Sequence, residues 1–187
     1  KDDVYIGYWA GRAYWSNEQW EEAYQCWQHV MDCMPDHYTA RVGLIKYYIK
    51  KEDYLKAKKI IMELLEINGR DEMVLSFMRE VNIYLIDYYW QMAEKEPEVR
   101  KHAVEACWCM FQNEQFKETI RKLNQLGIRQ DEPEYYDYVN MMGRCYLGLE
   151  DDELAITYLK KWDEEREKLV DDGSEKYQKR QKREGFI

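Results

Sequence analysis

Apolar residues recur every three to four positions along most of this chain, which is the spacing of helices that bury one face. Short polar segments separate these stretches. The pattern predicts helices over residues 4–15, 18–34, 38–50, 54–67, 97–111, 115–126, 135–147 and 150–169. Residues 72–95 are predicted to form one long helix or two short ones. Asn68 and Gly69 predict a left-handed stop after the fourth helix.

The helices fall into pairs that repeat at a fixed interval. Ala10, Tyr14, Ala23, Trp27 and Val30 are followed 34 positions later by Leu44, Tyr48, Ala57, Ile61 and Leu64. Near the end of the chain, Gly143, Tyr146, Ala155 and Leu159 stand at the same intervals as Gly11, Tyr14, Ala23 and Trp27. A period of this length indicates stacked helical hairpins, because one hairpin alone cannot bury its apolar face.

The composition agrees with helix. The chain has 187 residues, of which 45% are hydrophobic and 35% charged, and it contains only three Pro. This length suffices for one sizeable core or for four to five hairpins that share a continuous core. We therefore expect an all-α fold.

The repeat resembles the tetratricopeptide repeat, a two-helix unit of 34 residues with small residues where its helices touch. The resemblance covers about residues 4–71 and 100–169. The first unit matches at Ala10, Gly11, Tyr14, Ala23, Trp27, Val30 and Pro35, and the second at Leu44, Tyr48, Ala57, Ile61 and Leu64. A weaker unit matches at Ala103, Ala106, Cys107, Phe116, Leu123 and Leu126, and a good one at Met142, Gly143, Tyr146, Ala155 and Leu159.

The resemblance implies a right-handed α-solenoid of antiparallel hairpins. Its units would span about residues 4–37, 38–71, 100–133 and 136–169, with an irregular element at 72–99, so that residues 1–173 form the repeat domain. Gly11, Ala23, Ala57, Gly143 and Ala155 would be the small residues that let neighbouring helices approach closely; a large side chain there would overpack.

The resemblance also implies a peptide-binding groove, lined by the first helix of each pair. The positions that would face the groove are Tyr5, Tyr8, Arg12, Thr39, Val42, Lys46, Lys101, Val104, Trp108, Asp137, Asn140 and Arg144. Arg12, Lys46 and Arg144 occupy the same position of three units. Cations beside aromatic rings favour an acidic peptide or a carboxylate terminus as the ligand. Asp137 has the wrong sign for that ligand.

Charge disfavours nucleic acid as the main partner, since the net charge is −9 and the pI is near 5.0. The basic C-terminal tail, residues 174–187, is the exception: five Lys and Arg stand there against two Glu. Binding of an anionic surface or of nucleic acid through this tail remains an alternative function.

Few residues suggest other chemistry. Cys26, His29, Cys33 and His37 form a run that could suggest zinc, but along a helix the first and last would lie about 16 Å apart, too far to share one ion.

No catalytic motif is present, so we expect neither an enzyme nor a cofactor or metal. Five cysteines without a secretory framework favour a cytoplasmic protein, and no apolar stretch reaches the length of a membrane span.

The function expected from the sequence is therefore a protein–protein interaction module that holds a peptide or a partner helix in its groove. Because the chain begins at Lys1, we expect it to be part of a larger protein, such as a chaperone-associated or signalling protein. The structural alternative is a repeat domain that self-associates or serves as a spacer.

Overall fold

The computed structural model describes residues 2–171, and in this range the chain forms helices and no strand. The helices are α1 (Asp2–Ser16), α2 (Trp20–Cys33), α3 (Tyr38–Lys50), α4 (Tyr54–Ile67), α5 (Glu72–Lys95), α6 (Arg100–Gln112), α7 (Phe116–Leu126), α8 (Tyr135–Gly148) and α9 (Asp152–Asp171). None of the described helices combines the length and the apolar character that crossing a bilayer requires. The basic tail at 174–187 lies outside the described residues.

The chain divides into two compact units, and the division falls within α5, between Val81 and Asn82. The first unit contains the hairpins α1–α2 and α3–α4 with the start of α5. The second unit contains the rest of α5 with the hairpins α6–α7 and α8–α9. The two helices of each hairpin pack side by side, and so do α2 with α3 and α7 with α8, so each unit contains a short stack of antiparallel hairpins.

The core of the first unit is built around Trp27 of α2. Its indole ring lies between two glycines of neighbouring helices: a Cβ added to Gly11 would meet the ring at 2.5 Å, and a Cβ added to Gly43 would meet it at 2.4 Å. Both distances are below van der Waals contact, so only glycine lets α1 and α3 approach this ring so closely. Ala23 and Ala40 are fully buried in the same cluster.

The core of the second unit lies between α6, α7 and α8. It contains Val104, Cys107, Trp108, Phe111, Leu123, Ile128, Met141, Met142 and Cys145. Gly143 gives α9 a close approach here, because a Cβ at this position would lie 2.8 Å from the Leu159 side chain. The buried Ala155 stands at the helix contact as predicted.

Each hairpin turns at a glutamate in the left-handed region: Glu18 (φ 60°), Glu52 (59°), Glu114 (59°) and Glu150 (61°). At each turn the N–H of the next residue reaches back five positions to a helix carbonyl. These bonds run from Gln19 to Tyr14 (3.0 Å), Asp53 to Tyr48 (2.9 Å), Gln115 to Met110 (3.0 Å) and Asp151 to Tyr146 (3.0 Å). This is the Schellman arrangement, which satisfies carbonyls that the helix end leaves free.

The prediction of an all-α fold built from stacked hairpins is confirmed, and the small residues at Gly11, Ala23, Ala57, Gly143 and Ala155 are buried as expected. Of the two alternatives predicted for residues 72–95, the structure has the single helix, α5. Two local predictions change. Pro97 lies in a turn and α6 starts only at Arg100, because the chain needs those residues to reverse after α5. Gly69 is not left-handed, because α4 ends at Ile67 and the residue that follows, Asn68, has an extended backbone.

Candidate functional site

A cavity of about 270 Å³ opens in the first unit between α1 and α3. Five of the predicted groove residues line it together: Tyr8, Arg12, Thr39, Val42 and Lys46. Trp15, Ser16, Trp27, Gly43 and Met73 complete the lining. The 34-residue period explains this convergence, because Arg12 and Lys46 take the same place on successive first helices.

The two cations of the cavity are available for a ligand. Both side chains are exposed, and among the described residues neither forms an ion pair; Arg12 instead lies over the ring of Trp9, with its guanidinium carbon 4.9 Å from the ring centre. The described lining contains no carboxylate. Two positive charges therefore face a cavity whose described lining supplies no counter-ion, and an anionic group would be attracted to it.

Trp27 supplies the deepest apolar wall of the cavity. The ring is 2% exposed, and its position is fixed by Gly11 on one side and Gly43 on the other. Its Nε1–H finds no acceptor among the described residues. With Tyr8, Trp15, Val42 and Met73 also in the lining, aromatic and apolar side chains stand beside the two cations.

The rim next to Thr39 is ordered by a helix cap that the sequence reasoning missed. His37 precedes α3, and its Nδ1 accepts a hydrogen bond from the Ala40 N–H at 3.1 Å. The same nitrogen lies 3.2 Å from Thr39 Oγ1, and the imidazole packs 5.5 Å from the Tyr8 ring centre. His37 therefore fixes the start of α3 beside the cavity, which explains its place in the sequence without a metal.

The wall that Met73 contributes is positioned by Asp71, the residue before α5. Asp71 accepts the Tyr38 hydroxyl proton at 2.6 Å and the backbone N–H groups of Met73 and Val74 at 3.1 Å each. The bond from Tyr38 holds the pKa of this carboxyl below its usual value. Burial and the same carboxylate raise the pKa of Tyr38 to about 12. Asp71 thus ties the first turn of α3 to the first turn of α5.

Tyr5 is the one groove position of the first two units that does not line the cavity. Its ring is exposed and lies 6.3 Å from the ring of Trp9, on the outer part of α1. It belongs to a different surface of the helix.

In the second unit most of the predicted groove residues that the structure describes are buried or lie against other side chains. Trp108 is 1% exposed and packs against Phe111 in the core, with the ring centres 5.8 Å apart. Val104 and Asn140 are buried as well, so these three are removed from the set of ligand-contacting residues. Arg144 lies 6.0 Å from the ring centre of Trp162 on α9. Lys101 is exposed.

Equivalent positions in the two units can be found by counting back from the left-handed turns. Counting back from Glu18 and Glu114, Trp108 stands at the position of Arg12. A cation at the cavity rim of one unit is thus replaced by an indole in the other. Trp108 belongs to the core of the second unit, against which Trp90 of α5 also packs. The repeat pattern could not reveal this, because it does not report which face α5 would cover.

Five residues of the cavity lining were not predicted to face the groove: Trp15, Ser16, Trp27, Gly43 and Met73. Ser16 lies one turn beyond Arg12, and its hydroxyl donates to the Arg12 carbonyl at 3.0 Å. Helical spacing alone could have found it. Met73 comes from α5, which does not follow the repeat, and only the fold places it here.

The Cys and His run near α2 does not converge. His29 Nε2 lies 3.9 Å from Cys33 Sγ, whereas His37 caps α3. Within the described part of the chain, no three His, Cys, Asp or Glu side chains surround a common ion position. All five cysteines are free thiols.

Comparison with known proteins adds little to this geometry. No protein-family model matches the sequence, and no curated protein matches it significantly. Among solved structures, the crystal structure of the MamA protein is similar with a TM-score of 0.44 and 13% identity, over 91% of this chain and 95% of that one. A MamA mutant is similar with a TM-score of 0.42 and 16% identity, over 88% and 99%.

Proposed function

We propose that this chain is a protein-interaction module that binds an acidic segment of a partner protein in the cavity between α1 and α3. The observation that carries the proposal is the pair of cations, Arg12 and Lys46, which face one cavity without an acidic neighbour in its described lining. A carboxylate at the rim would meet two charged donors, and charge-assisted hydrogen bonds are the strong ones. The ligand side chain next to that carboxylate would pack against the apolar residues of the cavity.

The net charge of the chain favours recognition of an acidic ligand by the charges close to it and not by long-range attraction. The chain carries −9 in total, so an acidic ligand is repelled at a distance and attracted only near the cavity. At physiological salt, interactions beyond about 8 Å between exposed charges are largely screened. The two cations can therefore act on a bound segment despite the acidic body.

We propose binding rather than catalysis as the activity of the site. A serine and a threonine hydroxyl, a tyrosine, two cations and apolar groups line it, which suits holding a ligand. We also propose a reducing compartment such as the cytoplasm as the place of action, since all five cysteines are free thiols.

The test is a binding titration with a labelled hexaglutamate peptide, followed by fluorescence anisotropy, with hexaglutamine as the neutral comparison. The double variant Arg12→Glu, Lys46→Glu should bind hexaglutamate about tenfold more weakly, since an exposed ion pair contributes about 0.2–1 kcal/mol and reversal adds repulsion. Raising the salt concentration should weaken binding to the unmodified protein.

The matched control is Lys59→Glu with Lys117→Glu, which changes the net charge equally at two exposed positions outside the cavity. It should lower the affinity far less. Equal losses in the two double variants would mean that total charge, not the cavity, governs binding, and the proposed site would be wrong. A capture experiment from cells that recovers the same partners with the cavity variant would contradict it too.

A further inference from the structure

The lining of the cavity between α1 and α3 carries more positive charge than one carboxylate would neutralise. Arg12 comes from α1 and Lys46 from α3, both side chains are exposed, and the described lining contains no acidic residue. A carboxylate brings a single negative charge, whereas the phosphate group of a phosphorylated side chain brings about −1.5 to −2 at pH 7. A phosphate therefore matches the two cations more closely than a glutamate or an aspartate does.

The position of the Arg12 guanidinium is restrained by an aromatic ring. Its central carbon lies 4.9 Å from the centre of the Trp9 ring, and a cation over such a ring is attracted to it. Trp9 in turn packs edge-on against Tyr8 of the lining, with ring centres 5.3 Å apart. The guanidinium is a planar fork that can donate to two oxygens of one phosphate, so Arg12 is suited to hold this group beside the cavity.

The other lining residues favour a ring as the group that carries the phosphate. They offer aromatic and apolar surface: Tyr8, Trp15, Trp27, Val42 and Met73. Aromatic side chains pack favourably edge-to-face or offset against one another. The phosphate of serine or threonine stands on a short aliphatic stem and would leave most of this surface uncovered. In phosphotyrosine the ring lies directly next to the phosphate, so both kinds of lining residue can make contact.

The cavity has room for such a side chain. Its volume is about 270 Å³, and an apolar cavity of about 150 Å³ already accepts a benzene ring. The difference leaves space for the phosphate group. A run of several residues would exceed this volume, so a single side chain of the partner enters while the rest of the segment stays outside.

We propose that the acidic group which the cavity binds is a phosphorylated tyrosine of the partner protein. Its phosphate contacts Arg12 and Lys46, and its ring packs against the aromatic and apolar residues of the lining. The inference rests on the proposed function, since it names the acidic group for the same cavity. It goes further in one respect: the partner is recognised after tyrosine phosphorylation and released after dephosphorylation, so a modification of the partner controls the complex.

The first test measures the affinity of the full chain for labelled peptides of one sequence by fluorescence anisotropy. The central residue is phosphotyrosine, tyrosine, phosphoserine or glutamate, the flanking residues are uncharged, and both ends are blocked so that they carry no charge. We expect the phosphotyrosine peptide to bind at least about tenfold more tightly than each of the others. Tyrosine lacks the charge-assisted hydrogen bonds, phosphoserine lacks the ring, and glutamate lacks both the ring and the second charge.

The comparison separates this inference from the proposed function. If the glutamate peptide binds as tightly as the phosphotyrosine peptide, the inference is wrong, whereas binding of hexaglutamate would still support the cavity as a site for acidic segments. If phosphoserine binds as tightly as phosphotyrosine, the ring plays no part and the inference is equally wrong. Failure of hexaglutamate and of every phosphopeptide to bind would reject both.

The second test assigns the bound charge to the two cations. Arg12→Met and Lys46→Met each remove one charge and keep a long side chain, and each should weaken phosphotyrosine binding about tenfold. Lys59→Met makes the same change at an exposed residue of α4 outside the lining, and it should bind like the unmodified chain. An equal loss in Lys46→Met and Lys59→Met would place the phosphate elsewhere and contradict the inference.

The third test uses the charge of the phosphate itself, whose second pKa is about 6. Sulfotyrosine is the matched control, because it has the same ring and a single negative charge at every pH used. Between about pH 5 and about pH 7.5 the affinity for the phosphotyrosine peptide should rise by up to about tenfold relative to the sulfotyrosine peptide, as the phosphate loses its last proton. Protonation of protein groups beside the cavity, such as His37 next to Tyr8, acts on both peptides, so the ratio isolates the proton of the phosphate. A ratio that does not change would show that the second charge is not recognised, and would overturn the inference.

Discussion

Replacing Gly11 by alanine tests whether Trp27 is as tightly confined as the distances indicate. The new Cβ would lie 2.5 Å from Nε1, 2.7 Å from Cδ1 and 3.0 Å from Cε2 of the Trp27 ring. Ordinary carbon contacts begin near 3.5 Å, so the overlap is close to an ångström. The ring cannot move away freely, because Gly43 of α3 also lies against it.

The expected loss of stability is the difference of two terms. Overpacking a core costs about 1–3 kcal/mol, and alanine gains about 1 kcal/mol over glycine inside a helix. The net loss should be at most about 2 kcal/mol, which for a chain of this length lowers the melting temperature by up to roughly 4–8 °C. Urea denaturation followed by circular dichroism, with thermal unfolding alongside, measures both quantities.

Gly7→Ala is the matched control, since it lies one turn earlier on the same helix. A Cβ there meets only the Val30 methyl at 3.1 Å, with the next atom at 3.8 Å. This variant keeps the gain in helix propensity with little overlap, so its stability should be equal to or slightly above that of the unmodified chain. If the two variants lose equal stability, the confinement of Trp27 is refuted.

A double-mutant cycle isolates the contact itself. Trp27→Leu should cost stability in its own right, because it leaves a void, but it should also make room for the Gly11→Ala methyl. The cost of Gly11→Ala should therefore shrink in the Trp27→Leu background, with a coupling of about 1 kcal/mol or more. Additive costs would show that the methyl group does not meet this ring.

Three further predictions concern stability elsewhere. Glu52→Gly should raise the free energy of unfolding by about 0.5–1 kcal/mol, measured by urea titration. The left-handed conformation of Glu52 costs a non-glycine residue about 1–2 kcal/mol, and the greater chain entropy of unfolded glycine offsets part of the gain. A lower free energy of unfolding in the variant would exclude strain at the turn. Ala57→Trp should destabilise strongly, since Ala57 is fully buried between helices; an unchanged melting temperature would count against close hairpin contact. Tyr38→Phe should cost about 1 kcal/mol at pH 7 by removing the bond to Asp71. Because that bond lowers the folded-state pKa of Asp71 from 3.8, its contribution is present above pH 4 and is lost as the pH falls through the lower folded-state value. The stability difference between the two proteins should therefore narrow in acid, and a difference that stays constant down to pH 2 would contradict the linkage.

Individual residues show how much of the structure the sequence could predict. The placement of Arg12 beside Lys46 follows from their 34-residue spacing alone. The role of His37 did not, because histidine is an uncommon helix cap and no other feature of the sequence indicated this role. The left-handed glutamates were missed for a similar reason: glycine or asparagine is expected at such turns, and glutamate gives no local signal.

The sequence by itself determined the helices, their pairing into hairpins and the small residues between them. All of these follow from the spacing of apolar residues, which can be seen in the sequence without knowing which helices pack together. Only the tertiary structure decided which of the equivalent positions face solvent. Arg12 and Trp108 hold the same place in the repeat, yet one lines a cavity and the other is buried, because the burial of a side chain depends on the helix packed over it, and α5 does not follow the repeat.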